Sequence, residues 1–284
     1  MRLANLTGRL VIMDGADAID VARASRGSFS ADPQSIFETW AEFGIWAKTG
    51  LTDAPREPVN FGELQCPIPA PRQLFAVGLN YGAHNTEVKR SSSAAPVVFT
   101  KFVSSISGPY DPVHHPGGDL DWEAELVVVI GRGGHHISVD AAWGHVAGLT
   151  VGQDFSERVS QRTGSPPQWS LAKSYAGFAP LGPVIVTPDE FARPDDLAIQ
   201  ARVNGEIVQS ARTSELIFGV PELISYLSEI VTLLPGDVIF TGTPAGTGIG
   251  MNPQRFLMAG DVVETTIEGI GSLRNVVTAD SELV

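Results

Sequence analysis

Short apolar runs of period two outnumber helical ones along this chain. The clearest runs from 122 to 130, where Trp122-Glu123-Ala124-Glu125 leads straight into Leu126-Val127-Val128-Val129-Ile130 and stops at Gly131. The β-branched residues predict a strand, and alternation puts Glu123 and Glu125 on one face in line with Val127 and Val129. Further strands are predicted over 3–12, 73–77, 97–100 and 147–152, the last ending at Asp154. Asp32-Pro33 opens a helix carrying Ile36, Trp40, Phe43 and Ala47 at helical spacing, and Gly50 stops it. Residues 138–146 suit another. A third runs from Val220-Pro221 through Leu223, Ile224, Leu227 and Val231 to Pro235-Gly236. Asn80 is placed to cap a short helix on which His84 and Glu87, three apart, share a face. Turns lead into strands at 235–238 and 259–262. Strands and helices do not alternate regularly, so the fold class is α+β and β-rich. Pro67, Pro69 and Pro71 rule out a helix or central strand over 66–72. That stretch is expected to link a small N-terminal domain, 1–65, to a catalytic domain, 73–284.

With 284 residues, 43% of them hydrophobic, a large core is within reach. No apolar run approaches the ~20 residues of a membrane span. No apolar stretch before Asp14 reads as a signal peptide, so a cytoplasmic enzyme with no membrane partner is expected. The single cysteine, Cys66, excludes internal disulfides and cysteine-built zinc sites. A net charge of −13 makes nucleic acid an unexpected partner. It also opposes an anionic substrate, which would need a local cation to meet it.

Two glutamates at a strand end are ordinarily solvated. Buried, they would demand a cation, and their hard oxygens suit Mg²⁺, Mn²⁺ or Ca²⁺. Asp154, just after another apolar run, is a candidate third carboxylate. Lys173 stands among small and apolar residues, where it could hold an anionic oxygen. The pairs His114-His115 and His135-His136 would point to opposite faces of a strand and cannot share a metal. The glycine-rich stretch 241–248 lacks the Gly-Lys-Ser/Thr ending of a phosphate loop, and is expected to bring Thr243 close to a ligand. Neither G-x-S-x-G nor H-E-x-x-H occurs.

The pieces Gly78-Leu79-Asn80-Tyr81 with His84 and Glu87, Phe99-Thr100-Lys101, Asp121-Trp122-Glu123-Ala124-Glu125-Leu126 and Asp154 with Arg158 and Gln161 come first. Lys173-Ser174, Pro180-Leu181-Gly182-Pro183, Val203-Asn204-Gly205-Glu206, Pro235-Gly236-Asp237-Val238 and Thr241-Gly242-Thr243-Pro244 follow in unbroken order. Together they make residues 72–278 resemble the fumarylacetoacetate hydrolase family. The resemblance implies a mixed β-roll catalytic domain, a homodimer, and Mg²⁺ or Mn²⁺ (Ca²⁺ being possible) on Glu123, Glu125 and Asp154. It also implies a lid, expected over 78–96, carrying His84 and Glu87. Thr247 departs from the valine that relatives often have.

The expected reaction is cleavage of a C–C bond in a 2,4-dioxo acid, an acylpyruvate, to pyruvate and a carboxylic acid. This would serve the catabolism of aromatic or sugar-derived acids. His84, held by Glu87, would activate water, and Lys173, helped by Gln161, would stabilise the oxyanion. Tyr81, Arg158, Gln161 and Thr243 would bind the small anionic 2-oxo acid. The family also holds decarboxylases and isomerases or hydratases of 2-oxo acids, acting through the same metal enolate, and its motifs do not separate them. A carboxylate cluster that binds Ca²⁺ only to stabilise the fold would leave His84, Glu87 and Lys173 idle.

Overall fold

The computed structural model describes residues 1–91 and 93–279. Ser92, inside the expected lid, and residues 280–284, at the end of the expected catalytic domain, lie outside the described residues. The chain is strand-rich and mixed, as the period-two runs predict. The larger sheet holds 12 strands among the described residues. Its centre is Ala124–Ile130, paired antiparallel with Val146–Gln153 on one side and Val238–Phe240 on the other. Leu74–Gly78 and Val97–Thr100 extend it beyond Val238–Phe240. A second sheet runs Glu206–Arg212, Ala198–Val203, Val262–Ile267, Gly271–Thr278 and Val113–His114.

Every residue of Ala124–Ile130 is buried because both of its faces feed a core. Ala124, Leu126, Val128 and Ile130 pack into one hydrophobic cluster. Val127 and Val129 pack into the other.

N-terminal residues enter both clusters: Leu3, Ile12, Phe37 and Phe43 share the second with Val127, Val129 and Phe240, while Ala4, Val11 and Met13 join the first. The run 3–12 is a hairpin rather than a single strand, Arg2–Leu6 against Arg9–Asp14. Thr7 and Gly8 both take positive φ, 49° and 84°, which closes a two-residue turn. Arg2–Leu6 then pairs with Ala179–Val186, so the hairpin joins the larger sheet. Within 66–72, Cys66 and Ile68 are buried against this part of the molecule.

The amphipathic segment after Pro221 is the helix Val220–Ile230, burying Leu223, Ile224 and Leu227. Residues expected to be helical over 138–146 form a 3₁₀ helix, Val139–His145. His135 and His136 are not on a strand. His136 has φ 53°, which turns the backbone so that the two rings stack, centroids 3.9 Å apart. No helix among the described residues is long and apolar enough to cross a membrane.

Candidate active site

Strand register assembles the three carboxylates. Ala124 lies opposite Gln153, so the next residue outward on each strand, Glu123 and Asp154, face one another. The Asp154 amide donates to the Glu123 carbonyl at 2.9 Å. Glu125, two residues along, points to the same side, and ligand oxygens of Glu123, Glu125 and Asp154 lie within 4.8 Å of one another. All three residues are buried.

Cations meet this cluster from three directions. Lys173, at the end of the short helix Trp169–Ala172, donates to Glu123 Oε2 at 2.8 Å, Asp154 Oδ2 at 2.7 Å and Ser156 Oγ at 2.7 Å. An ammonium has three donors, so all are engaged. Arg158 Nη2 lies 2.7 Å from Glu123 Oε1 and 2.8 Å from Asp121 Oδ2. Lys101 Nζ reaches Asp154 Oδ1 at 2.5 Å and also bonds the Lys173 carbonyl. Burial would raise the Glu123 carboxyl, but Lys173 and Arg158 outweigh it and hold it at about 2. Glu125 differs. Burial first, then Asp154 and Glu123, push its carboxyl well above the usual range. It makes no ion pair among the described residues, and its Oε2 accepts only the Gly242 amide at 2.7 Å.

With all four ionised, the buried carboxylates (Asp121, Glu123, Glu125, Asp154) outnumber the three buried cations (Lys101, Arg158, Lys173) by one negative charge. A divalent cation fits this donor set: hard oxygens only, one of them without a cationic partner. It would leave the site one positive charge in excess, suited to an anion.

Over this floor opens a cavity of about 630 Å³. His84 and Glu87 line it from the helix Gly82–Glu87, with Nδ1 of His84 3.2 Å from Glu87 Oε2. Glu87 is fixed in turn by the 241–250 loop. Its Oε1 accepts the Gly246 amide at 2.9 Å, and the Thr247 hydroxyl lies 3.4 Å from Oε2. Gly250 packs so closely that an added Cβ would fall 2.1 Å from Glu87 Cδ. Asn80 does not cap the helix, whose N-cap is Tyr81. Its amide instead ties two loops together, donating to the carbonyls of Phe218 and Thr241 at 2.9 and 2.7 Å.

The cavity also brings Arg158, Gln161 and Thr243 together with these groups. Gln161 Oε1 accepts from Arg158 Nη1 at 3.0 Å, and Thr243 Oγ1 accepts from Gln209 Nε2 at 2.8 Å. Tyr81 does not line the cavity. It is 1% exposed and its hydroxyl has no hydrogen-bond partner among the described residues. Burial, and then Glu125, raise its pKa.

Lys101 and Asp121 belong to the motifs, but the sequence assigns neither a role. Asp121 accepts the amides of Gly248 and Ile249 at 2.7 and 2.9 Å while pairing with Arg158. It therefore ties the floor to the loop that holds Glu87. The one signal for either is a charged residue abutting an apolar strand.

A family model described as fumarylacetoacetate (FAA) hydrolase, C-terminal, matches residues 73–278. The human protein named oxaloacetate tautomerase FAHD2A, mitochondrial, is 45% identical over 223 residues, 78% of this chain and 70% of its own length. A candidate HpcE protein from Mycobacterium smegmatis superposes with TM-score 0.94 at 52% identity, covering 99% of this chain and 100% of its own. Maleylpyruvate hydrolase from Sphingobium sp. SYK-6, solved with manganese(II) and pyruvate, gives TM-score 0.81 at 27% identity, covering 99% and 100%.

Proposed function

This chain belongs to the fumarylacetoacetate hydrolase family, and from that premise we propose that it moves a proton within a 2-oxo acid, interconverting keto and enol forms. The observation that carries this reading is the part-buried His84–Glu87 pair over a carboxylate floor. An ionised carboxylate only accepts, so Nδ1–H of His84 is the donor in their bond and Nε2 is left free as a base. That base takes the proton from C3 of the keto acid and delivers it to the C2 oxygen. One C–H bond breaks, one O–H bond forms, and no water is consumed. Glu87 orients the ring and supports the imidazolium formed between the two transfers. Glu123, Glu125 and Asp154 would hold Mg²⁺ or Mn²⁺, whose chemistry is to polarise the 2-oxo carbonyl and offset the substrate's charge.

Two observations favour this over the acylpyruvate hydrolysis expected from the motifs. The 45% identical human relative is named a tautomerase, whereas structural neighbours named hydrolases are 35%, 28% and 27% identical. In addition, Lys173 has its three donors on Glu123, Asp154 and Ser156, with none left for an oxyanion. Hydrolysis stays the second reading, supported by that manganese- and pyruvate-bound neighbour and by a dyad able to activate water. Decay of enol absorbance from oxaloacetate decides between them. We expect Mg²⁺- or Mn²⁺-dependent acceleration that a chelator abolishes. Pyruvate release from an acylpyruvate, with no acceleration of enol decay, overturns the proposal. A homodimer is part of it, and light scattering near the 30.1 kDa chain mass at micromolar concentration counts against that part.

A further inference from the structure

Three threonines stand in the loop that runs from the floor to Glu87, and the hydroxyl hydrogens of two are already engaged. Thr241 donates to the Leu126 carbonyl at 2.9 Å. Thr247 reaches Glu87 Oε2 at 3.4 Å. Thr243, between them, lines the cavity and is bonded in the opposite sense, its Oγ1 accepting from Gln209 Nε2 at 2.8 Å. It follows Gly242, whose amide bonds Glu125, so its hydroxyl stands beside the carboxylate floor.

A side-chain amide can be turned end for end, and only its partners fix which end is which. Two partners of Gln209 leave no choice. The Ala124 amide, which can only donate, lies 2.9 Å from Oε1. The Pro244 carbonyl, which can only accept, lies 2.7 Å from Nε2. Nε2 therefore faces Thr243, whose oxygen must accept, and the Thr243 hydrogen is directed away from Gln209. Among the described residues no acceptor takes that hydrogen, and the open side is the cavity. Gln209 is 1% exposed and does not line the cavity; it comes from the strand Glu206–Arg212 of the second sheet. Burying a primary amide is costly unless its hydrogen bonds are made, and here three are. Gln153 offers the contrast. Its Oε1 takes the Glu123 amide at 2.8 Å and its Nε2 bonds Thr265 at 2.8 Å, but Thr265 is fully buried and does not line the cavity.

We propose that Gln209 is a positioning residue that keeps Thr243 a hydrogen-bond donor towards the cavity, where it meets an anionic oxygen of the 2-oxo acid head. This rests on the floor being the site for that head. With Gln209 in place the anion meets a hydrogen, a charge-assisted bond. Without it the hydroxyl is free to turn and present a lone pair, which an anion avoids.

Calorimetry at saturating Mg²⁺ measures oxalate, a dianion shaped like the enolate of a 2-oxo acid head. Thr243→Val weakens it ~10-fold, the loss of one hydrogen bond to a charged group. Gln209→Met weakens it by a similar factor when Thr243 is present, and by less than ~2-fold in the Thr243→Val background. Thr243→Ser keeps the hydroxyl, so the dependence on Gln209 returns there. If Gln209→Met does not fold, Gln209→Glu gives the same cycle. One carboxylate oxygen still accepts from Ala124, while the other draws the Thr243 hydrogen away from the cavity. Its added charge acts in both backgrounds, so the cycle subtracts it. A Gln209 effect of equal size in both backgrounds means that the side chain only supports the Ala124 amide, and overturns the assignment. No effect in either background overturns it too. Wild type that takes no oxalate in the presence of Mg²⁺ removes the 2-oxo acid site and the role of Gln209 with it. Exchange of the C3 protons of 2-oxobutyrate into deuterated water, followed by NMR, tests the chemistry separately. Coupling of Gln209 to Thr243 without exchange keeps the positioning role and removes the proton-transfer reading.

Discussion

Glu123 and Asp154 sit at the ends of two neighbouring strands whose residues are all buried, and Glu125 lies inside one of them. His84 and Glu87 ride on a six-residue helix whose Gly82, Ala83 and Thr86 are exposed. Both groups face the same cavity, yet different forces hold them. Strand register and two hydrophobic cores fix the carboxylates, and buried cations lock them. The helix Gly82–Glu87 is too short to be stable alone and depends on what Glu87 and its neighbours touch. Substitutions in the floor should therefore cost both folding and chemistry, whereas those in this helix should cost chemistry alone.

Asp154→Asn is the largest test. Asp154 is buried and receives both Lys101 and Lys173, so removing its charge leaves two buried ammonium groups short of a partner. Breaking a buried pair from one side costs roughly 3–5 kcal/mol. The urea midpoint should fall accordingly, and Mg²⁺ should no longer raise it. An unchanged midpoint would mean that the lysines find other partners and that the floor is not locked by charge. On the helix side, His84→Ala should slow proton exchange by ~10²–10⁴-fold. Its urea midpoint should match the wild type, because the helix contributes little to the cores. A large loss of stability would erase the contrast between the two regions.

How far the sequence foretells each region follows the same division. Alternation over 122–130 is a local property, and it correctly aligns Glu123 and Glu125, whereas Asp154 joins them in the sequence reading only through the family resemblance. The cations are a different matter. Lys101 is 53 residues from Asp154 in the chain, and no periodicity points one at the other. Asp121 likewise acquires its function from Gly248 and Ile249, over a hundred residues on. The hairpin of residues 2–14 was hidden because Thr7, unlike glycine, gives little warning of a left-handed backbone. Asn80 reads as a helix cap by residue type, but its amide is drawn off by the Phe218 and Thr241 carbonyls. Tertiary hydrogen bonding overrides the local preference there.

Gly250→Ala probes the latch from outside the dyad. Its Cβ would lie 2.1 Å from Glu87 Cδ and 2.2 Å from Cγ, so the Glu87 side chain must move. Displacing the group that orients a catalytic base should lower kcat ~10-fold, with KM changing less. An unaffected rate would mean that Glu87 can shift and still hold His84.

Thr247→Val is the mildest and the most discriminating. Thr247 is fully buried, and among the described residues its hydroxyl has one weak contact, 3.4 Å from Glu87 Oε2. Valine keeps the shape and removes the hydroxyl. Glu87 would keep the Gly246 amide and His84, so the rate should fall by no more than ~3-fold, the lower end of a hydrogen bond's net worth. Stability should move the other way. A buried hydroxyl with so long a contact recovers little of its desolvation cost, so valine should raise the urea midpoint slightly. A slower but more stable protein is thus the expected pair of results. A rate loss beyond ~10-fold would make Thr247 a principal support of the dyad, since ~1.4 kcal/mol is more than a 3.4 Å contact supplies. A faster enzyme would imply that the hydroxyl holds the lid shut and that opening it limits turnover.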